Sequence, residues 1–256
     1  MTRRRIMITA AANGIGRVIA EAFAAERAEI IISDIDEAAL FATRAAHPDW
    51  SVSHVDVTDP EALDDWFARS RIDEAGLDVL INNAGIAGPI GPVETIDLAG
   101  WRQCMAVGID AQFVTCRRAV PVFKRQRRGT IINMSSTSGL YGVGLRSPYV
   151  ASKWAVIGFT KSLAIELGDW NVTVNAICPG TVAGDRMTRV IEAEAAQRGR
   201  TTDEVRGDYV GGQSIKRFVE PQEIAALAVY LASPAARIIT GQALAVDGHA
   251  EVYHIG

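Results

Sequence analysis

Ile6-Met7-Ile8-Thr9-Ala10-Ala11-Ala12-Asn13-Gly14-Ile15-Gly16 is a short apolar run that stops in a turn of small residues. The spacing predicts a helix after it, with Val18, Ile19, Ala22 and Phe23 on one side. Strand, tight glycine turn and helix bring a backbone close to a pyrophosphate at a helix N-terminus. Such turns also occur empty, so the stretch by itself establishes a strand–helix unit and only suggests a ligand. Residues 29–33 read as a second buried strand ending at Asp34. An acidic residue there, about 20 residues past the glycine turn, suits adenosine ribose hydroxyls and repels a 2′-phosphate. The plainer role for Asp34 is a helix N-cap, which Asp36 fits equally well.

Outward from this unit the alternation repeats. Residues 38–46 read as helix and 52–55 as strand, closed by Asp56-Val57. Pro60 suits the first turn of a helix running to about 74. A strand at 79–81 ends in Asn82-Asn83-Ala84-Gly85, and the Gly/Pro-rich loop 88–92 leads into one long helix, 98–125. Strand 130–134 runs into Ser135-Ser136-Thr137-Ser138-Gly139. Helix 149–167 and strand 172–177 follow, the strand ending at Pro179-Gly180. The last helix is 221–232 and the last strand 243–246. This order implies one α/β domain over 1–256, a doubly wound parallel sheet with helices on both faces. Residues 183–218, rich in Arg, Glu and Gly, break the rhythm. Strand C-termini form the ligand crevice of such a sheet, so the stretch reads as a lid or, more plainly, as a surface excursion.

Composition narrows the function. The 256 residues are 48% hydrophobic and 22% charged, with a net charge of -4, which argues against a nucleic-acid partner. Arg3-Arg4-Arg5 and Arg125, Arg127 and Arg128 read as solvated ends of elements. No apolar run approaches the roughly 20 residues of a membrane span, and no signal peptide precedes the first strand. Cys104, Cys116 and Cys178 read as free, buried thiols of a reducing, cytoplasmic compartment. His47, His54, His249 and His254 form no ligand cluster, so no metal is assigned.

Tyr149-Val150-Ala151-Ser152-Lys153 carries the chemistry. Tyrosine and lysine four residues apart share one helix face. Two unit charges about 4 Å apart interact by roughly 4 kcal/mol at an effective dielectric near 20. A phenol so paired becomes a general acid/base near neutral pH. The pair alone is common by chance, and its surroundings decide.

Together these motifs resemble the short-chain dehydrogenase/reductase family across essentially the whole chain. Thr9, Asn13, Gly14 and Gly16 match the family's Thr-Gly-x-x-x-Gly-x-Gly turn, and Asn82 to Gly85 meet its Asn-Asn-Ala-Gly motif in full. Tyr149 and Lys153 match Tyr-x-x-x-Lys, Ser136 the serine thirteen residues earlier, and Pro179-Gly180 the turn bordering the nicotinamide. The resemblance implies a Rossmann-type fold of about seven strands and hydride exchange between NAD(P) and a carbonyl or alcohol carbon. It implies a cofactor set of Thr9, Asn13, Gly14, Ile15, Gly16, Asp34, Ile35, Asp56, Val57, Asn83, Ala84, Gly85, Tyr149, Lys153, Pro179, Gly180 and Val182. It also implies catalysis by Ser136, Tyr149 and Lys153, and a homotetramer or homodimer paired through 98–125 and 149–167. Trp154, Phe159 and Phe113 would then fill the interface unless they face the sheet. Asp34 favours NAD over NADP, although Arg17 lies near enough to soften the rule.

Two positions depart from the family. Ala10 replaces the first glycine of the turn, which a negative φ would accommodate. Gly108 stands seven residues after Trp101, where the family has an asparagine behind the lysine. A water on the Gly108 carbonyl is the simplest repair, since Asp110 points elsewhere; Gly108→Asn is then expected to change the rate within about tenfold. The leading function is an NAD-dependent oxidoreductase interconverting a secondary alcohol and a ketone. The alternatives are a catalytically weakened dinucleotide-binding regulatory protein and an NADPH-dependent 3-oxoacyl reductase, which Asp34 disfavours. Arg146, three residues before Tyr149, and Arg186 are candidate substrate contacts beside Ser136 and Tyr149, with Arg189 and Tyr209 also in the lid. A planar guanidinium fork suits a carboxylate, so a small hydroxy acid or sugar acid is expected. The plainer role for these arginines is to be solvated or paired with Glu192, Glu194 and Asp203.

Overall fold

In the first strand, Ile6 and Ile8 enter one core and Met7 the other, because successive strand residues point to opposite faces. The computed structural model describes residues 3–250, without the side chains of Arg186 and Gln197. In chain order it holds β1 (Arg5–Ile8), α1 (Gly14–Ala25), β2 (Glu29–Asp34), α2 (Glu37–Ala46), β3 (Ser51–His54) and α3 (Pro60–Arg69). Then come α4 (Ile72–Ala75), β4 (Val79–Asn82), α5 (Leu98–Met105), α6 (Ala111–Gln126) and β5 (Gly129–Met134). The rest is α7 (Ser147–Leu167), β6 (Val172–Pro179), α8 (Asp185–Arg198), α9 (Thr202–Gly211), α10 (Pro221–Leu231) and β7 (Ala243–Val246).

All seven strands run parallel in the order β3-β2-β1-β4-β5-β6-β7, so the order reverses between β1 and β4. Such a switch point opens a crevice at the strand C-termini, where the glycine turn and the Asn82–Gly85 segment both emerge. One face is covered by α1 and α10 over Ile19, Phe23, Ile224 and Leu231. The other is covered by α3, α6 and α7 over Trp66, Phe67, Phe123 and Leu167. Each such fully buried side chain contributes roughly 1.5–3 kcal/mol. Among the described residues no helix is long and apolar enough to cross a membrane.

Two helices differ from the sequence reading. Pro60 begins α3 with Asp59 as its cap, but the helix ends at Arg69. Arg71 takes a left-handed φ of 52°, and a separate turn, α4, follows. The expected single helix 98–125 is interrupted by a π-turn, Ala106–Asp110, between α5 and α6. Gly108 sits inside it and lets the backbone lie against Ser152 of α7, where a β-carbon would come 2.8–2.9 Å from the serine Oγ and Cβ. The insert 183–218 forms the pair α8 and α9 over a small core of its own, Ile191, Ala195, Val205 and Phe218.

Candidate active site

The glycine turn is tied to both neighbouring strands. Asp34 Oδ2 accepts from Ala12 N at 3.0 Å, and Asn83 Nδ2 donates to the carbonyls of Ala10 at 2.7 Å and Thr9 at 3.1 Å. Thr9 Oγ1 accepts from Asn83 N and Ala84 N at 3.0 and 3.1 Å. Gly16 is packed so closely that a β-carbon would meet Ala10 O and Asn83 Nδ2 at 2.5 Å. The negative φ that would accommodate the Ala10 methyl is not adopted: φ is +50°, so the methyl is held in the left-handed region by these bonds. The turn then presents the first amides of α1, Gly14, Ile15 and Gly16. The N-cap Asn13 makes no side-chain cap bond and no acidic residue lies in the first turn. Uncapped N–H groups at a helix N-terminus fit an anionic diphosphate, so the residues present suit a dinucleotide.

Asp34 and Asp36 divide the roles that the sequence left open. Asp36 caps α2, accepting from Ala39 N at 3.0 Å. Asp34 is buried, and its Oδ1 accepts from Ile35 N and Asp36 N at 2.8 and 3.1 Å. Asp56 lies beside it past β3, since Val55 N donates to Asp34 O, and its Oδ1 accepts from Thr58 N and Oγ1. Val57 packs on the α3 side, and Ile35 is exposed. Arg17 is held by Glu21 and Thr43 and stacks on Trp50.

On the other side of the switch point, Lys153 is buried. Its Nζ donates to Met134 O at 2.9 Å and stands 5.7 Å from the Tyr149 ring centroid. A β-carbon on Gly85 would be 3.3 Å from that nitrogen, so the Asn-Asn-Ala-Gly segment and the Tyr-x-x-x-Lys helix meet there. Burial lowers the Lys153 pKa, and nearby Tyr149 offsets this in part. Ser136 Oγ accepts from Ser138 N at 3.1 Å, and its hydroxyl also carries a donor. The turn it caps, Thr137–Gly139, packs on α7, and Ser135 Oγ donates to Lys153 O at 2.8 Å. Pro179 is buried, and Gly180 N donates to Val246 O, with no room for a β-carbon against Asp247. Val182 pairs with Val219 in the bridge at the base of the insert.

Arg146 precedes α7 with its guanidinium 5.1 Å over the Tyr149 ring and a long 3.4 Å donation to Ala87 O. Its Nε is buried without a hydrogen-bond partner among the described residues. The plainer pairing with lid carboxylates goes to other groups: Glu194 binds Arg198 and Tyr209, and Arg200 binds Asp208. Arg189 is exposed on α8, and the Arg186 side chain lies outside the described residues.

Some of the site escaped the sequence reading. Thr115, Asn82, Asn133 and Thr160 form a buried hydrogen-bonded ladder that ties α6 and α7 to the sheet. Gly108 O accepts from Gln112 Nε2 at 3.2 Å, so that carbonyl is already engaged by a side chain. The lone glycine in a long apolar helix was the available signal for this break. The three cysteines are buried free thiols; burial pushes Cys116 up to about 12 and Cys178 to about 11.

A family model described as enoyl-(acyl carrier protein) reductase matches residues 9–249. D-beta-hydroxybutyrate dehydrogenase of Cupriavidus necator is 34% identical over 247 residues, covering 94% of this chain and 95% of that one. 2-Keto-3-deoxy-L-fuconate dehydrogenase of Xanthomonas campestris is 37% identical over 246 residues, covering 96% and 79%. A crystal structure of a variant actinorhodin polyketide ketoreductase with NADPH superposes with a TM-score of 0.90 at 29% identity, covering 98% of each chain. With its seven-stranded sheet and the Asn82–Gly85 and Tyr149–Lys153 segments joined at one crevice, the chain belongs to the short-chain dehydrogenase/reductase family and is an oxidoreductase of hydroxyl and keto groups.

Proposed function

We propose that this enzyme is an NAD-dependent dehydrogenase of a small hydroxy acid, with Ser136, Tyr149 and Lys153 as its catalytic residues. The observation that carries the reading is the buried Lys153 ammonium beside Gly85 and below the Tyr149 ring. Tyr149 exchanges the hydroxyl proton at its phenolic oxygen, and Lys153 supports the phenolate by its charge. Ser136 donates its O–H to the substrate oxygen, where negative charge develops. A bound nicotinamide dinucleotide supplies the hydride exchange at the adjacent carbon. The α1 amides and the Thr9–Asn83–Gly85 edge hold the diphosphate and the nicotinamide end. Asp34, at the end of β2, favours ribose hydroxyls over a 2′-phosphate, and Arg17 is engaged away from that role. The insert 183–218 covers the substrate.

Arg146 reads the substrate carboxylate. Support comes from its unpaired buried Nε beside Tyr149, and from the names of two relatives, hydroxybutyrate and deoxyfuconate dehydrogenases, both of which act on acids. The α6–α7 face pairs with a second copy, since Trp154 and Phe113 are each about half exposed on it and Ile165 is 85% exposed. A monomeric mass in sedimentation at micromolar concentration would exclude that pairing.

Kinetics on a panel of hydroxy acids and their neutral esters, each with NAD and NADP, tests the whole reading. Tyr149→Phe is expected to lower kcat by about 10²–10⁴-fold with NAD affinity unchanged. Arg146→Ala is expected to raise KM for the acid about 10–100-fold and leave the ester unaffected, since a hydrogen bond to a charged group contributes about 1.5–3 kcal/mol. Full turnover in Tyr149→Phe, or equal KM changes for acid and ester, would contradict the assignments.

A further inference from the structure

The break between α5 and α6 buries an amide beside the lysine. Gln112, one turn past Gly108, is 1% exposed. Its Nε2 donates to the Gly108 carbonyl at 3.2 Å and reaches the Met134 carbonyl at 3.5 Å. Met134 O is also the acceptor of Lys153 Nζ, so amide and ammonium converge on one carbonyl. The two donations orient the amide, with its nitrogen toward the carbonyls and Oε1 turned away from them. That oxygen is buried and has no hydrogen-bond partner among the described residues. A buried amide oxygen left so forfeits its hydration with nothing in return. The ammonium, for its part, has three donors, of which Met134 O takes one.

We propose that Gln112 is a positioning residue for Lys153: clamped on the Gly108 and Met134 carbonyls, it offers Oε1 to the ammonium through one buried water and keeps the lysine aimed at Tyr149. Lys153 Nζ and Gln112 Oε1 are the partners such a water takes. The groups facing Lys153 are Tyr149 on its own helix, Cys104 from α5 and Cys178 from β6. Burial raises both thiols, so neither is an anion at neutral pH. An uncharged acceptor is therefore what remains to offset the lysine's desolvation. The inference rests on Lys153 acting on Tyr149 as read above, and its test includes a readout that needs no turnover.

The chain has four lysines, Lys124, Lys153, Lys161 and Lys216. An NMR titration of lysine-labelled apo protein follows each of them, and Lys153→Met identifies the buried one. Gln112→Met keeps the length and removes the acceptor. Its Lys153 midpoint is expected to fall by about half a pH unit or more. Its kcat is expected to fall about tenfold, with KM for the alcohol within about twofold. Gln112→Glu keeps acceptor oxygens, adds charge and is expected to raise the midpoint, which supplies a second arm should the methionine variant not fold. An unchanged midpoint in folded Gln112→Met, even with turnover lost, overturns the proposal and leaves Gln112 a packing residue. A falling midpoint in Gln112→Glu overturns it as well. A midpoint that moves as expected in a protein without turnover on any alcohol supports the positioning and refutes instead the catalytic reading of Tyr149 and Lys153.

Discussion

The two sides of the crevice are built by different means. On the dinucleotide side, single side chains bind backbone far away in sequence: Asp34 to Ala12, Asn83 to Ala10 and Thr9 to Ala84. These bonds are buried or nearly so, and they close the turn as the sheet forms. In the 183–218 insert, α8 and α9 lean on each other over four buried side chains and reach the sheet through the Val182–Val219 bridge. Their ion pairs, Arg198–Glu194 and Arg200–Asp208, lie at the surface, where water and salt screen them and leave them little weight. A site that must hold one cofactor shape is thus preorganised by long-range bonds. The insert proposed to cover the substrate instead has a small core of its own, so it is expected to open without the sheet.

The contrast breaks most sharply at Gly16. Gly16→Ala puts a methyl 2.5 Å from Ala10 O and Asn83 Nδ2, both fixed by the same network. NAD binding by calorimetry is expected to weaken at least about a hundredfold, because the clash cannot relax without breaking the turn. Binding within tenfold of wild type would show that the turn is softer than its hydrogen bonds suggest. Val205→Ala probes the opposite side, since Val205 is fully buried inside the lid core. Amide exchange in α8 and α9 is expected to quicken about tenfold while α1 and the sheet keep wild-type protection, as a cavity of about 1–2 kcal/mol opens only the lid. Exchange rising equally in α1 would mean that lid and sheet unfold as one unit. The smallest effect is at Ala10. Ala10→Gly relieves the left-handed methyl and is expected to stabilise the apo protein by about 1 kcal/mol in urea, with kcat unchanged. A destabilised Ala10→Gly would show that chain entropy outweighs the strain.

Gly108 sharpens the same comparison. The sequence reading made Gly108→Asn a mild change, but the α5–α6 backbone lies so near Ser152 that any β-carbon must push α7, and with it Tyr149 and Lys153. Substitution there is therefore expected to act through helix packing, and no sequence spacing reports how closely two helices approach.

Local patterning determined a great deal. Apolar runs of three to six residues ending in Thr9, Asp34, Asn82 and Pro179 were legible as strands because both faces of a parallel sheet are buried. Asp36, Pro60 and the Tyr149–Lys153 spacing were legible because capping, first-turn and helix-face arguments reach only a few residues. Only the tertiary structure decided what depends on distant partners. It tied Asp34 to the glycine turn, because Oδ2 accepts from Ala12 N, 22 residues away in sequence, while Asp36 caps α2. It held Ala10 at positive φ against its own preference, because Asn83 fixes the carbonyl from another strand. It set Gln112 and Lys153 on one carbonyl, because that meeting needs α6, β5 and α7 packed together, and no stretch of sequence contains all three.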